Sequence, residues 1–164
     1  MRASRFSQKK KPIGGPVFTL GLTETWLDRR DGAVFPLAPG IAGGKFDPEK
    51  FAFHNFTVEE VATDLQWCID RIRSINPSCK FICTVSPVPL NATAVDRHVV
   101  LSTTYSKAVL RVAAEQVCNT NALCDYFPSF EIITCSLTRS HYFAPDRREI
   151  AENGVAHVMG VFLK

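Results

Sequence analysis

Short apolar runs alternate along this sequence with longer stretches of helical periodicity. The runs are typical of buried strands, and the longer stretches repeat apolar residues at three- to four-residue steps. Strands are predicted at 17–20, 81–85 and 122–127, and helices between 57 and 76, at 103–118 and at 147–163. Because a helix separates successive strands, this order predicts an α/β fold with a parallel sheet, whose ligands would bind beyond the carboxyl ends of its strands.

The first predicted helix has the clearest boundaries. Thr57 and Glu60 have the spacing of a capping box, in which the Thr57 hydroxyl accepts a hydrogen bond from the third helical amide. The Glu60 carboxylate in turn accepts one from the Thr57 amide. Asn76 and Pro77 are predicted to end the helix.

The remaining segments predict the domain organisation. Residues 1–15 are basic and without periodicity, which predicts a flexible tail before one domain at 16–164. Within that domain, 28–32 has the composition of a turn. The run at 33–37 contains a proline and is predicted to be an edge strand or a loop, and 41–55 is predicted to be a loop.

Composition and charge exclude several classes of function. A net charge of +3, much of it within the first eleven residues, is too small to indicate nucleic-acid binding. No run approaches the roughly 20 apolar residues that a membrane-spanning helix needs. The amino terminus lacks the apolar core of a secretory signal. We therefore expect a cytoplasmic protein with no membrane span and no nucleic-acid partner.

Six cysteines are present, but their spacing along the chain does not indicate a metal site. There is no Cys-x-x-Cys pair, and no histidine lies at zinc-finger spacing from them. Cys83 lies in an apolar run and Cys68 on the apolar face of a helix, where a thiol behaves as a small hydrophobic group. The prediction is reduced core thiols, no metal and no cofactor.

Five segments that occur in a fixed order together resemble the GSCFA family, a branch of the SGNH-type hydrolases. They are T19-L-G-L-T-E-T-W26, D28-R-R-D-G32, T84-V-S-P-V88, Y105-S-K107 and Y126-F-P-S-F-E131. The resemblance covers about 16–164. It implies a flavodoxin-like, doubly wound parallel sheet and hydrolysis of esters, with an acylated small molecule or a glycan ester as the substrate.

Two departures from the family pattern affect the expected activity. The Gly-Ser-Cys-Phe-Ala segment that supplies the family's presumed nucleophile does not occur in this sequence. The domain is therefore expected to be incomplete at its amino terminus, with sheet edges exposed to self-association. Ser86 lies in the strand-end segment and not at the nucleophile position, and is expected to be a turn residue before Pro87.

The resemblance also implies the candidate site residues. Gly21 and Thr23 follow the first strand and would hold the oxyanion, although this stretch also fits a strand end leading into a hairpin. His98, in the loop after the second strand, would be the base. Asp146 would orient it, but Glu149 stands where the family motif has a histidine, and Asp146 also fits a helix N-cap.

Two functions remain open from the sequence. The first is an ester hydrolase of the SGNH type, and the second is a catalytically silent remnant or a binding module on the same fold. Fluorophosphonate labelling of a serine would discriminate between them, because only the first has an activated hydroxyl.

Overall fold

The computed structural model describes residues 15–35, 37–41, 44–136 and 141–164. Apart from Gly15, the predicted tail at 1–15 lies outside the described residues. Within these ranges, six strands and four helices follow in chain order: β1 (Val17–Leu20), β2 (Glu24–Asp28), β3 (Val34–Phe35), β4 (Phe51–Asn55), α1 (Val58–Arg73), β5 (Phe81–Val85), α2 (Val99–Thr120), β6 (Cys124–Tyr126), α3 (Ser129–Thr134) and α4 (Glu152–Phe162).

A parallel sheet with the order β1-β5-β6 confirms the predicted mixed α/β class. In β1, Val17 lies opposite Ile82, and in β6, Cys124 lies opposite Phe81. All five residues of β5 are buried, as expected of a central parallel strand. This order brings the carboxyl ends of all three strands to one edge.

Helices α1 and α2 complete the core beside this sheet. Leu65 and Ile69 of α1 pack in one cluster with Phe81 of β5 and Val117 of α2. The capping box before α1 is confirmed, because the Thr57 hydroxyl accepts from the Glu60 amide and the Glu60 carboxylate accepts from the Thr57 amide.

A second, antiparallel sheet with the order β3-β2-β4 was not predicted. The loop prediction for 41–55 is wrong at its end, where Phe51–Asn55 forms β4 and pairs with the whole of β2. Cross-strand aromatic packing stabilises this pairing, since the Trp26 ring meets the Phe53 ring edge-on at 5.5 Å between centroids. The turn at 28–32 is confirmed, and Gly32 adopts the positive φ of 74° that favours glycine.

The ends of the two later helices differ from the prediction. Helix α2 begins four residues earlier than expected, because the His98 side chain caps it. Helix α4 begins at Glu152 and not at 147, so the expected N-cap role of Asp146 is wrong. Asp146 instead closes a tight turn by accepting from the Arg148 and Glu149 amides. Among the helices in the described ranges, none is both long and apolar enough to cross a bilayer.

Candidate functional site

A cleft of about 430 Å³ opens at the carboxyl edge of the parallel sheet. Its apolar walls come from segments that follow β5 and β6, and from the stretch before α4: Pro87, Pro89, Phe130 and Phe143. Three cationic side chains also line it: Lys107, Arg111 and Arg147. Apolar walls with a few placed charges are typical of a pocket for a small amphiphilic anion.

Lys107 is the most unusual of these side chains because it is only 3 % exposed. Its Nζ donates a hydrogen bond of 2.7 Å to the carbonyl oxygen of Gly21, directly after β1. Burial lowers the pKa of Lys107 to about 8. No carboxylate forms an ion pair with Lys107 in the described part of the chain. Near neutral pH the cleft therefore holds an ammonium group whose charge is not neutralised locally.

The Arg111 guanidinium is, in contrast, neutralised by carboxylates. It forms ion pairs with Glu115 at 2.7 Å and with Glu131 at 2.8 Å, and it stacks over the Tyr126 ring at 4.1 Å. The Tyr126 hydroxyl also donates to Glu131. Arg111 is thus held as a fixed part of the cleft wall, and Lys107 carries more of the free positive charge.

The segment predicted to hold an oxyanion contacts Lys107 through the Gly21 carbonyl. Thr23 is 1 % exposed, and both of its hydrogen-bond donors already have partners. Its amide donates to the Ser106 Oγ at 2.9 Å, and its hydroxyl donates to the Asn55 Oδ1 at 2.6 Å. The amides of Gly21 and Leu22 donate no hydrogen bond to any described residue. These two amides are therefore the donors that this segment leaves open.

Glu24 joins the cleft to the antiparallel sheet, a role that the sequence did not indicate. Its carboxylate accepts from the Thr93 hydroxyl at 2.6 Å and from the Ala94 amide at 3.1 Å. Because the Thr93 hydroxyl donates to Glu24, the Ser102 hydroxyl must donate to Thr93, and it accepts from Arg97 Nε at 2.8 Å. This network fixes the loop at 86–98 to the start of β2.

His98 lies at the amino-terminal end of α2 and is exposed. Its Nδ1 accepts from the Val100 amide at 3.2 Å, so the imidazole acts as the helix cap. This contact uses Nδ1 as an acceptor, and Nε2 points away from the Val100 amide. In the neutral ring the proton is then on Nε2, so His98 has no free acceptor nitrogen while it caps the helix.

Asp146 is also exposed, and its pKa is lowered by hydrogen bonds from the Arg148 and Glu149 backbone amides. Within the described residues it shares no hydrogen bond with His98. The two loops nevertheless meet, since the Arg148 side chain donates to the Asn91 carbonyl at 3.3 Å. The neighbouring Arg147 has a positive φ of 58°, which is unusual for a non-glycine residue.

The other serine and histidine candidates have local partners. Ser86 Oγ accepts from the Val88 amide at 3.2 Å, which agrees with its expected turn role. His157 is exposed and makes a hydrogen bond with the Tyr142 hydroxyl. Across the ranges that the structure covers, no serine hydroxyl is hydrogen-bonded to an imidazole.

Sequence reasoning missed Lys107, although Y105-S-K107 was one of the segments behind the resemblance. Its position on α2 is the sequence feature that indicates burial, since Lys107 follows the buried Ser106 and is one turn before the buried Leu110. A lysine among residues that face inward at these spacings indicates a buried charge. Its partner, the Gly21 carbonyl, could not be identified because the contact spans 86 positions of sequence.

The described residues define a mixed α/β domain with a cationic cleft at the carboxyl edge of a parallel sheet. The family model of the GSCFA family matches residues 5–162, which is nearly the whole chain. The chain therefore belongs to the GSCFA family. The match begins inside the predicted tail at 1–15. Neither the curated proteins nor the solved structures gave a match.

Proposed function

We propose that this protein is an ester hydrolase of the SGNH type, built on a flavodoxin-like sheet, and that the cleft beside Lys107 binds the acyl group of the ester. The order β1-β5-β6 is a contiguous run of parallel strands and is compatible with such a sheet. An acylated small molecule or a glycan ester would be the substrate. The apolar walls suit an acyl chain, and the cations suit a developing negative charge.

The contact between Lys107 and Gly21 carries this proposal. Through this contact Lys107 fixes the orientation of the Gly21–Leu22 peptide, and the Gly21 and Leu22 amides have no partner among the described residues. The Gly21 and Leu22 amides are then the oxyanion donors, with the Lys107 charge behind them. Thr23, which was predicted as a second donor, would instead position the loop through Ser106 and Asn55.

In this proposal His98 is the general base once its Nδ1 has released the Val100 amide. Nδ1 then carries the proton and donates a hydrogen bond to the Asp146 carboxylate, which orients the ring, and Nε2 is free to accept a proton. No residue of this sequence stands at the family's nucleophile position, so the base would activate a water as the attacking group. Catalytic contacts of this kind often tighten only when substrate is bound. The contact of Arg148 with Asn91 supports the pairing, because it joins the loops of the two groups. Their closure over a substrate would complete the site.

A second candidate is a binding module on the same fold. One observation favours it: within the described ranges, no serine is hydrogen-bonded to a histidine. The cleft itself is nevertheless present. In this case the cleft would hold an acyl carboxylate without turnover. The charge of Lys107 would then contribute to affinity and not to rate.

Turnover of p-nitrophenyl acetate by the purified chain tests both candidates. The hydrolase predicts saturable turnover that is lost in His98→Ala and retained in Ser86→Ala and in the matched control His157→Ala. The binding module predicts no turnover above buffer, no serine labelled by a fluorophosphonate, and saturable binding of octanoate that weakens in Lys107→Met. Turnover that His98→Ala does not change would reject His98 as the base. An absence of both turnover and octanoate binding would reject both functions.

A further inference from the structure

Three cysteine side chains from three different elements meet in the core, away from the cleft. Cys83 belongs to β5, Cys118 to α2 and Cys124 to β6. All three sulfur atoms lie within 4.8 Å of one another. The Sγ of Cys124 is 3.3 Å from that of Cys118 and 3.6 Å from that of Cys83. Spacing in the sequence could not show this cluster, because the fold alone brings the three positions together.

The distances between the sulfur atoms match those of thiolates around one metal ion. A metal–sulfur bond of about 2.3 Å in a tetrahedral site gives sulfur atoms roughly 3.8 Å apart. The separations of 3.3 and 3.6 Å are within about half an ångström of that value, and the third, between Cys83 and Cys118, is no more than 4.8 Å. Small side-chain rotations would therefore be enough to direct all three sulfurs at a common centre.

The surroundings of the cluster suit a negatively charged thiolate group. Cys83 and Cys124 lie in one core cluster with Phe81, and Cys118 packs against that cluster. The Arg73 guanidinium stacks over the Phe81 ring, and its Nη2 is buried without a hydrogen-bond partner among the described residues. A partly buried cation with one unused donor offsets part of the charge that metal-bound thiolates would bring into the core.

We propose that Cys83, Cys118 and Cys124 form a binding site for a thiophilic metal ion, which departs from the sequence-based prediction of core thiols without metal. The described part of the chain offers three sulfur ligands and no further His, Cys, Asp or Glu in the group. Structural zinc usually takes four protein ligands, whereas soft thiolate donors also select Cu⁺. Three sulfurs in an apolar core therefore fit Cu⁺ best, with Zn²⁺ as the competing ion.

Metal titration of the reduced protein under anaerobic conditions tests the site. Cu⁺ is titrated against the chromophoric chelator bathocuproine disulfonate, and Zn²⁺ is titrated separately against a chromophoric zinc chelator. We expect one equivalent of Cu⁺ to be withheld from its chelator, with sulfur-to-metal charge-transfer absorption in the near ultraviolet. One equivalent of Zn²⁺ and none of Cu⁺ would support the three-sulfur site and reject the choice of ion.

Cys118→Ser is the informative variant because Cys118 is only partly buried, so the fold should tolerate the change. It is expected to lose the one-equivalent step while its circular dichroism remains that of the wild type. Cys68→Ser, a partly buried cysteine outside the cluster, is the matched control and should keep the step. Folded wild-type protein that withholds neither ion would overturn the proposal. So would a Cys118→Ser variant that binds as the wild type does.

Discussion

Lys107 links the fold of this protein to its proposed chemistry, because it is buried and also lines the cleft. The side chain is buried, and it donates to a backbone carbonyl and forms no ion pair with a described carboxylate. A charged group in such a place costs stability and is typical of a functional site. Packing of the core does not need this cation, so its presence in the cleft indicates a functional role.

The pKa of Lys107 gives a prediction about binding. Since this pKa is about 8, the ammonium loses its proton as the pH rises through that value. Affinity for octanoate should therefore fall between about pH 7 and 9. This fall should be absent in Lys107→Met, while the exposed-lysine control Lys45→Met should keep it. Isothermal titration at several pH values measures the effect, and identical profiles for wild type and Lys107→Met would contradict it.

The same pKa gives a prediction about stability. Its folded value of about 8 lies below the ordinary 10.5, so between these values the unfolded chain binds a proton that the folded chain does not. The contribution of Lys107 to the free energy of unfolding should therefore increase as the pH rises from about 8 to 10.5. Urea denaturation across this range should show the increase in the wild type relative to Lys107→Met. An equal slope in both would be inconsistent with the lowered pKa.

At the scale of elements, local signals could be read from the sequence and contacts between distant segments could not. The capping box at Thr57 and the apolar run of β5 depend on neighbouring residues, and both were predicted. Strand β4 was missed because Pro48 and two nearby glycines made its segment resemble a loop, while its pairing with β2 depends on aromatic partners far away in sequence. The cysteine cluster was missed because its three positions are distant in sequence and come together only in the fold.

The N-cap of α1 provides a stability prediction. Thr57→Ala removes the hydroxyl that accepts from the Glu60 amide, and it should lower the free energy of unfolding by about 1 kcal/mol. Thr63→Ala, at an exposed site inside the same helix, should be neutral or slightly stabilising because alanine has the higher helix propensity. Urea denaturation of both variants measures the difference. Equal destabilisation by the two changes would show that the cap contributes nothing.

Glu24 provides a prediction about the loop at 86–98. Glu24→Gln weakens the acceptor of the Thr93 hydroxyl and the Ala94 amide, a change of about 1–3 kcal/mol for hydrogen bonds to a charged group. Hydrogen exchange should accelerate at the Ala94 amide and in the surrounding loop. The exposed-site control Glu49→Gln should leave exchange in this loop unchanged. Unaltered protection of Ala94 in Glu24→Gln would count against a fastening role for this carboxylate.

At the scale of the whole molecule, the sequence predicted the class of fold and the edge of the sheet where the cleft lies. The alternation of strands and helices was sufficient for this, because it restricts how a chain can connect parallel strands. The sequence did not predict the second sheet or the placement of the buried lysine. The expected cytoplasmic location and the boundaries of the domain remain predictions.

The exposed edge of β1 leads to a prediction about association. In the described part of the chain, β1 pairs with β5 on one side and with no strand on the other, and Val17 is 47 % exposed. We expect concentration-dependent self-association through this edge, which Val17→Lys should reduce. Light scattering over a range of protein concentrations measures it. A monomer at every concentration would contradict the prediction, and so would association that Val17→Lys leaves unchanged.

Glu24 also has a mechanical consequence. It is the first residue of the antiparallel sheet, and it holds the loop whose Pro87 and Pro89 form one wall of the cleft. A tilt of the antiparallel sheet would therefore be transmitted to that wall through the Glu24 carboxylate. A molecule that binds to the outer face of β3 or β4 could widen or narrow the cleft without touching it.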